Sequence, residues 1–231
     1  MQKPELHYSQ SQHDHIVDAY KLFLLQRSFP CVAAKAAMAR QQICCVLAGD
    51  MGSEEDDPAI LDFLYDFVEK YRNSKQLYQS AAVIFLRPVI ADEEHFEKLF
   101  WRRLQCLADL DARHYLYDDR VSMDVGSAEF SFSLKGEAHF VLGLHPYNSR
   151  PARRFSYPTI VFNPHEQFEI LRENHSYENL KRVIRNRDQR FSGSINPMLD
   201  DFGSSPEVLQ YSGRKYDHTW QCPLKIKHAK I

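Results

Sequence analysis

The sequence predicts an α+β fold, a single domain in which helices pack around a small, mostly antiparallel sheet. Three observations predict it. Apolar residues recur at helical spacing in the first and last thirds of the chain, whereas the segment from Glu129 alternates apolar and polar residues and turns back on itself. No Gly/Ser-rich or low-complexity stretch divides the 231 residues. With a hydrophobic fraction of 44%, 15 Phe and 12 Tyr, the chain can fill a large aromatic core. The domain is expected to span 1–231, with residues 1–15 as a polar N-terminal arm.

The elements follow in order. HIVDAYKLFLLQ places Ile16, Tyr20, Phe23 and Leu24 on one helical face; Phe29-Pro30-Cys31 breaks the pattern, and AAKAAMARQQICCVLAG resumes it. After the acidic loop DMGSEEDD, Asp57 and Pro58 open a helix whose stripe is Ile60, Leu61, Leu64, Phe67, Val68 and Tyr71. AAVIFLRP is a short continuous apolar run with a proline stop, hence a buried strand. Asp92, Glu93 and Glu94 favour the positive end of a helix dipole and start the long helix through HFEKLFWRRLQCLADLDAR. EFSFSL, a KGE turn and AHFVLGLH make a hairpin, and TIVF a third strand of that region. Asn163, Pro164 and Glu166 resemble a capping box for a helix over PHEQFEILREN, and Ser176 starts YENLKRVIRNRDQRF. The remaining tail reads as turns.

Composition excludes several classes. A net charge of -2 argues against a general nucleic-acid binder, which needs a basic excess to release counterions. The N-terminus lacks the basic and apolar regions of a secretory signal, and no apolar run reaches membrane-spanning length, so a cytoplasmic protein with no membrane partner is expected. Cys31, Cys44, Cys45, Cys106 and Cys222 are an odd number without a CxxC, which suits a reducing compartment. Cys44, Cys45 and Cys106 fall on apolar helix faces and read as core. No Walker A loop, GxGxxG, HExxH or GxSxG elbow is present.

The chemistry-bearing residues gather later in the chain. GLHPYNSRPARRF sets His145 at a strand end and Arg150, Arg153 and Arg154 within five residues of one another. A neutral imidazole there suits a metal or haem iron, and guanidinium forks suit carboxylates or phosphates. The plain alternatives are a hydrogen-bonded histidine ending a strand and a solvated basic loop. His165, near a helix start, would be kept neutral by the dipole, as a metal ligand must be; otherwise it is a surface residue. Cys31, at a helix start after a Phe-Pro break, would gain thiolate character and could be a nucleophile or haem ligand, or could pack among alanines. Glu166 and Glu169 read as a cap and a helix face. Asp200 and Asp201, with Asn196, could bind a cation or hold arginines in place.

The long motifs FPC, GLHPYNSRPARRF, VFNPHEQFEILR, IRNRDQRFSGSINPMLDDFG, QYSGRKYD and WQCP, in that order from Phe29 to Pro223, resemble the YqcI/YcgG family. That family includes haem-dependent N-oxygenases, among them arginine hydroxylases and a guanitoxin-pathway enzyme. The resemblance implies a b-type haem monooxygenase, an iron-dependent oxidoreductase that takes dioxygen or peroxide, and an external electron donor, to hydroxylate a guanidino or amino nitrogen of a small basic metabolite. On that reading His145 is the axial metal ligand, with His165 and Cys31 as rivals. Arg150, Arg153 and Arg154 anchor the propionates, and Glu166, Asp200 or Asp201 meet the substrate cation. The competing readings are a haem carrier or gas/redox sensor without turnover, and a cofactor-free module whose arginines bind an acidic partner.

Overall fold

The computed structural model describes residues 8–74, 76–195 and 204–229. Their helices are α1 (Gln10–Leu25), α2 (Val32–Ala39), α3 (Asp57–Ser74), α4 (Glu93–Asp111), α5 (Glu166–Glu173), α6 (Tyr177–Ser192) and α7 (Val208–Tyr211). The strands are β1 (Ile43–Asp50), β2 (Ser80–Arg87), β3 (Phe132–Leu134), β4 (Glu137–Leu144) and β5 (Thr159–Pro164). They form one five-stranded sheet in the order β1-β2-β5-β4-β3. Only β1 and β2 run parallel, joined through α3; the other three pairings are antiparallel. The predicted α+β class with a mostly antiparallel sheet is the observed one.

The patterned helices form where their stripes place them. Ile16, Tyr20, Phe23 and Leu24 of α1 and the whole predicted stripe of α3 are buried. Asp92 caps α4, its side chain accepting from the His95 N–H at 2.7 Å. The β3–β4 hairpin turns on Lys135 and Gly136, both at positive φ (54° and 64°), as a two-residue primed turn requires.

Four expectations are corrected. α1 starts at Gln10, capped by Ser9, so residues 10–15 belong to the helix rather than to an arm. The helix expected to run through ICCVLAG stops at Ala39, and Gln41 turns the chain with φ 57° into strand β1. A short continuous apolar run has no period to tell helix from strand, and parallel pairing with β2 decides it. Cys44 and Cys45 therefore lie on a strand. Asn163 and Pro164 close β5 opposite Phe140 and His139 instead of capping a helix, and α5 begins after His165. Finally, Glu129 and Phe130 precede β3, which is only three residues long.

The sheet separates two apolar clusters. Ala81, Val83, Phe85, Val141, Ile160 and Phe162 face α3 and α4, where Phe67, Phe96, Phe100 and Leu104 fill the main core. Ala82, Ile84, Leu144 and Val161, the alternate residues of the same strands, join Ile16, Tyr20 and Phe23 of α1 on the other side. Each face removes its apolar side chains from water at about 25 cal/mol per Å². The second face also holds the cavity described below.

Candidate functional site

On the second face, side chains from α1, α2, β4, β5, α5 and α6 enclose a cavity of about 320 Å3, at the lower end of the ~300–1,000 Å3 usual for small-molecule sites. Its floor is Phe140, Leu142 and Leu144 of β4 with Val161 of β5, and its sides include Tyr20, Leu24, Phe29, Phe168 and Leu171. The described charged residues on its wall are Arg150, Arg153, Arg172, Lys181 and Arg185 against Asp188 and Glu207. Among the described lining residues the one cysteine or histidine is Cys31.

Cys31 is the N-cap of α2, and its Sγ accepts from the Ala34 N–H at 3.4 Å. Burial raises its thiol pKa, outweighing the lowering by the Ala34 and Ala33 N–H groups. The protein alone thus holds a thiol rather than the thiolate expected from the helix terminus, and deprotonation would accompany binding of a metal. The Phe-Pro-Cys segment is fixed from α6. Arg187 donates to the Phe29 carbonyl at 2.9 Å and to that of Arg27 at 2.8 Å, so one basic side chain of KRVIRNRDQR has a structural use.

His145 is not on this cavity. Phe140, Leu142 and Leu144 face it, so strand alternation sends His139, Val141, Gly143 and the next residue, His145, to the opposite side. There the His145 ring stacks on Phe96 at 4.3 Å between centroids, and its Nε2 meets the Asn148 side-chain amide at 3.1 Å. Burial, aided by the Arg153 charge, pushes its pKa down to about 4. The neutral ring expected of a ligand is present, but it braces the turn that carries the arginines.

The three arginines part company. Arg150 pairs with Asp188 of α6 and donates to the Ser194 carbonyl at 2.8 Å. Arg153 is buried and donates to the Tyr211 carbonyl at 3.1 Å; burial and neighbouring Arg150 lower its pKa to about 10, leaving it charged at neutral pH. Arg154 is exposed, donates to the Asn148 carbonyl at 3.0 Å, and does not line the cavity.

His165 departs most from expectation. It is buried at the start of α5, with Nε2 3.1 Å from Glu169 Oε1 and Nδ1 3.5 Å from Glu207 Oε1. Burial opposes its charge, yet hydrogen bonds to Glu169 and Glu207 overcome that and raise its pKa to about 9. Held between two carboxylates, the ring favours its doubly protonated form, and His165 does not line the cavity. Two carboxylates outweigh the helix dipole.

Glu166 also lies elsewhere, on an open depression of about 490 Å3 with Arg72, Asp118 and Glu137. Arg120 ties that cluster together, 2.6 Å from Asp118, 2.8 Å from Glu137 and 3.5 Å from Glu166. Asp200, Asp201 and Asn196 lie outside the described residues. Sequence reasoning missed the carboxylates on the cavity wall. Asp188 sits inside the motif IRNRDQRFSGSINPMLDDFG, whereas Glu207, in SSPEVLQY, carries no local pattern that marks it.

Among the described residues, no group of three or more His, Cys, Asp or Glu could hold a metal ion, and no helix is long and apolar enough to cross a membrane. A haem needs only one protein donor, and here the donor set fits it: a soft sulfur on an apolar wall, with cations for the carboxylate tails. The model of the YqcI/YcgG family matches residues 20–225, from α1 to the C-terminal tail. The chain belongs to the YqcI/YcgG family. A family relative, YcgG of Bacillus subtilis (strain 168), described as uncharacterized, is 27% identical over 183 residues, covering 76% of this chain and 71% of that protein. No solved structure matches this YqcI/YcgG chain.

Proposed function

We propose that the chain is a haem-dependent oxygenase that hydroxylates a guanidino or amino nitrogen of a small basic metabolite such as arginine. The cavity wall carries this reading: its floor is apolar, and among the described lining residues Cys31 is the one cysteine or histidine and five cations face two carboxylates. Cys31 would hold the iron in place of His145. Arg150 and Arg153, with Arg172, Lys181 and Arg185, would meet the propionates; Arg154 has no part. Bound haem would supply activation of dioxygen or peroxide, and a thiolate ligand would favour cleavage of the oxygen bond.

The chain's own residues would exclude water and orient the substrate. Both described wall carboxylates already have partners, Asp188 in Arg150 and the Ser192 hydroxyl at 2.8 Å, Glu207 in the Tyr211 hydroxyl at 3.1 Å and His165, and a substrate cation would share one of them. Cysteines that are all unpaired suit a cytoplasmic setting.

The test is the absorption spectrum of the purified protein, with haem supplied, in ferric, reduced and carbon monoxide-bound states. A stoichiometric Soret band, shifted by arginine or a related amine, is expected, followed by incorporation of labelled oxygen into the nitrogen product. A Soret band indifferent to every amine would instead indicate a carrier or sensor. Absence of a specific band would overturn the cofactor reading and leave a site for an anionic ligand or partner.

A further inference from the structure

Glu169, His165 and Glu207 form a line of ionisable groups whose exposure falls from solvent to cavity. The Glu169 side chain is 42% exposed, whereas those of His165 and Glu207 are each 7% exposed. The two gaps are 3.1 Å and 3.5 Å, the second within reach of a few tenths of an ångström of side-chain motion. Glu207 lines the cavity, and its other oxygen accepts from the buried Tyr211 hydroxyl at 3.1 Å, which fixes the carboxylate. We propose that these three residues are a proton relay joining solvent to the cavity, with His165 as the carrier and Glu207 as the delivering group.

The chemistry follows from the ring. Both nitrogens of His165 face carboxylate oxygens, and a neutral imidazole would turn a lone pair toward one of them, so the doubly protonated ring satisfies both. The raised pKa of His165 agrees with this. Glu169 of its own helix, which also pairs with Arg172, and Glu207 from the α7 region, whose other oxygen is held by the Tyr211 hydroxyl, are charged groups facing the ring.

In one cycle the Nδ1 proton passes to Glu207 Oε1 and on to a basic atom in the cavity. A half-turn of the ring brings the emptied nitrogen to Glu169, which takes a proton from solvent and refills it. One proton enters, one leaves, and no electron moves. A clamp holding α5 would need only the Glu169 pair within the helix; the second carboxylate, on the cavity wall, is what a relay adds. The use of the delivered proton rests on the oxygenase reading, but the relay itself does not.

The experiment therefore reads the relay first without haem. In the full chain labelled with ¹⁵N-histidine, the ring N–H protons of His165 are followed by exchange with water. Glu169→Gln is expected to slow that exchange by roughly tenfold or more while leaving the other histidines unchanged. An unchanged rate would overturn the relay.

The second readout is the haem-loaded chain after a rapid pH jump, followed at the Soret band. Glu169→Gln should slow re-equilibration roughly tenfold, with formate restoring the rate, and should leave the final spectrum at each pH as in the wild type. Glu207→Gln should slow it as much. Equal rates in all three proteins would overturn the relay, and so would altered final spectra without slowing, because that is the mark of a structural clamp. A missing Soret band would refute the cofactor reading alone, since the exchange measurement decides the relay by itself.

Discussion

Replacing His165 with Gln should remove a pH-dependent part of the stability whose size and sign follow from its two carboxylate neighbours. The imidazole pKa rises from 6.5 to about 9 on folding. At roughly 1.4 kcal/mol per pH unit, that gap amounts to about 3 kcal/mol. Glu169 is 42% exposed, so water screens part of its contribution and about 2–3 kcal/mol is the working figure. The folded pKa lies above the unfolded one. This stabilisation is therefore fully present below pH 6.5 and is lost as pH rises through about 9. The assay is urea unfolding of wild type and His165→Gln from about pH 6 to about pH 10, taken as the difference between the two at each pH so that other titrations cancel. The difference should shrink by about 2–3 kcal/mol across that range. A flat difference would show that the ring is not charged between Glu169 and Glu207, and the reasoning about the triad would fail.

Three further outcomes are expected. Cys31→Ser should abolish the red-shifted carbon monoxide band of a thiolate-bound haem, whereas His145→Ala should keep that band and lower stability by about 1–3 kcal/mol; the reverse pattern would return the ligand to His145. Arg187→Ala removes the donor of the Phe29 carbonyl, while the Arg27 carbonyl keeps Lys35, and should cost about 1.5–3 kcal/mol in urea unfolding and weaken haem retention by loosening the segment that carries Cys31; unchanged retention would detach that segment from the site. Gly143→Ala would place a Cβ 2.7 Å from Phe96 Cε1 and 3.1 Å from the Ser212 carbonyl, so Phe96 must shift from its stack on His145; thermal unfolding should show a loss of about 1–3 kcal/mol, and a neutral result would mean that the stack carries little.

Much of the fold was legible because periodicity and caps are local. The stripe of α3, the Asp92 cap of α4 and the Lys135-Gly136 turn are each written within a few residues. The error at ICCVLAG has a physical cause: a short continuous apolar run obeys no period, and its strand state is imposed by pairing with Ser80–Arg87, more than thirty positions away in sequence. The mistaken cap at Asn163 has a similar origin, since a good capping sequence was overridden by ladder pairing to β4. The site was legible only as an inventory. Cys31 and two of the arginines were named, but Asp188 and Glu207 reach the cavity through tertiary packing, and the charge on His165 depends on Glu207, 42 positions away by residue number.

One part of the site was within reach of the sequence. In AHFVLGLH the alternation that puts Phe140, Leu142 and Leu144 on one face must put His145 on the other, whichever face bears the cavity. A ligand at His145 and a cavity floored by those three residues are thus mutually exclusive while β4 stays extended to its end. The dense positive charge next to His145 is resolved the same way. Arg150 turns to an acid of α6, Arg153 turns inward against the segment before Ser212, and Arg154 turns to water, because a 3-10 turn at Pro151–Arg153 points successive side chains in different directions. The cavity gains its remaining cations from α5 and α6. Local charge density in the sequence therefore marked the right neighbourhood, and the geometry of one strand and one turn decided which of its side chains could reach a ligand.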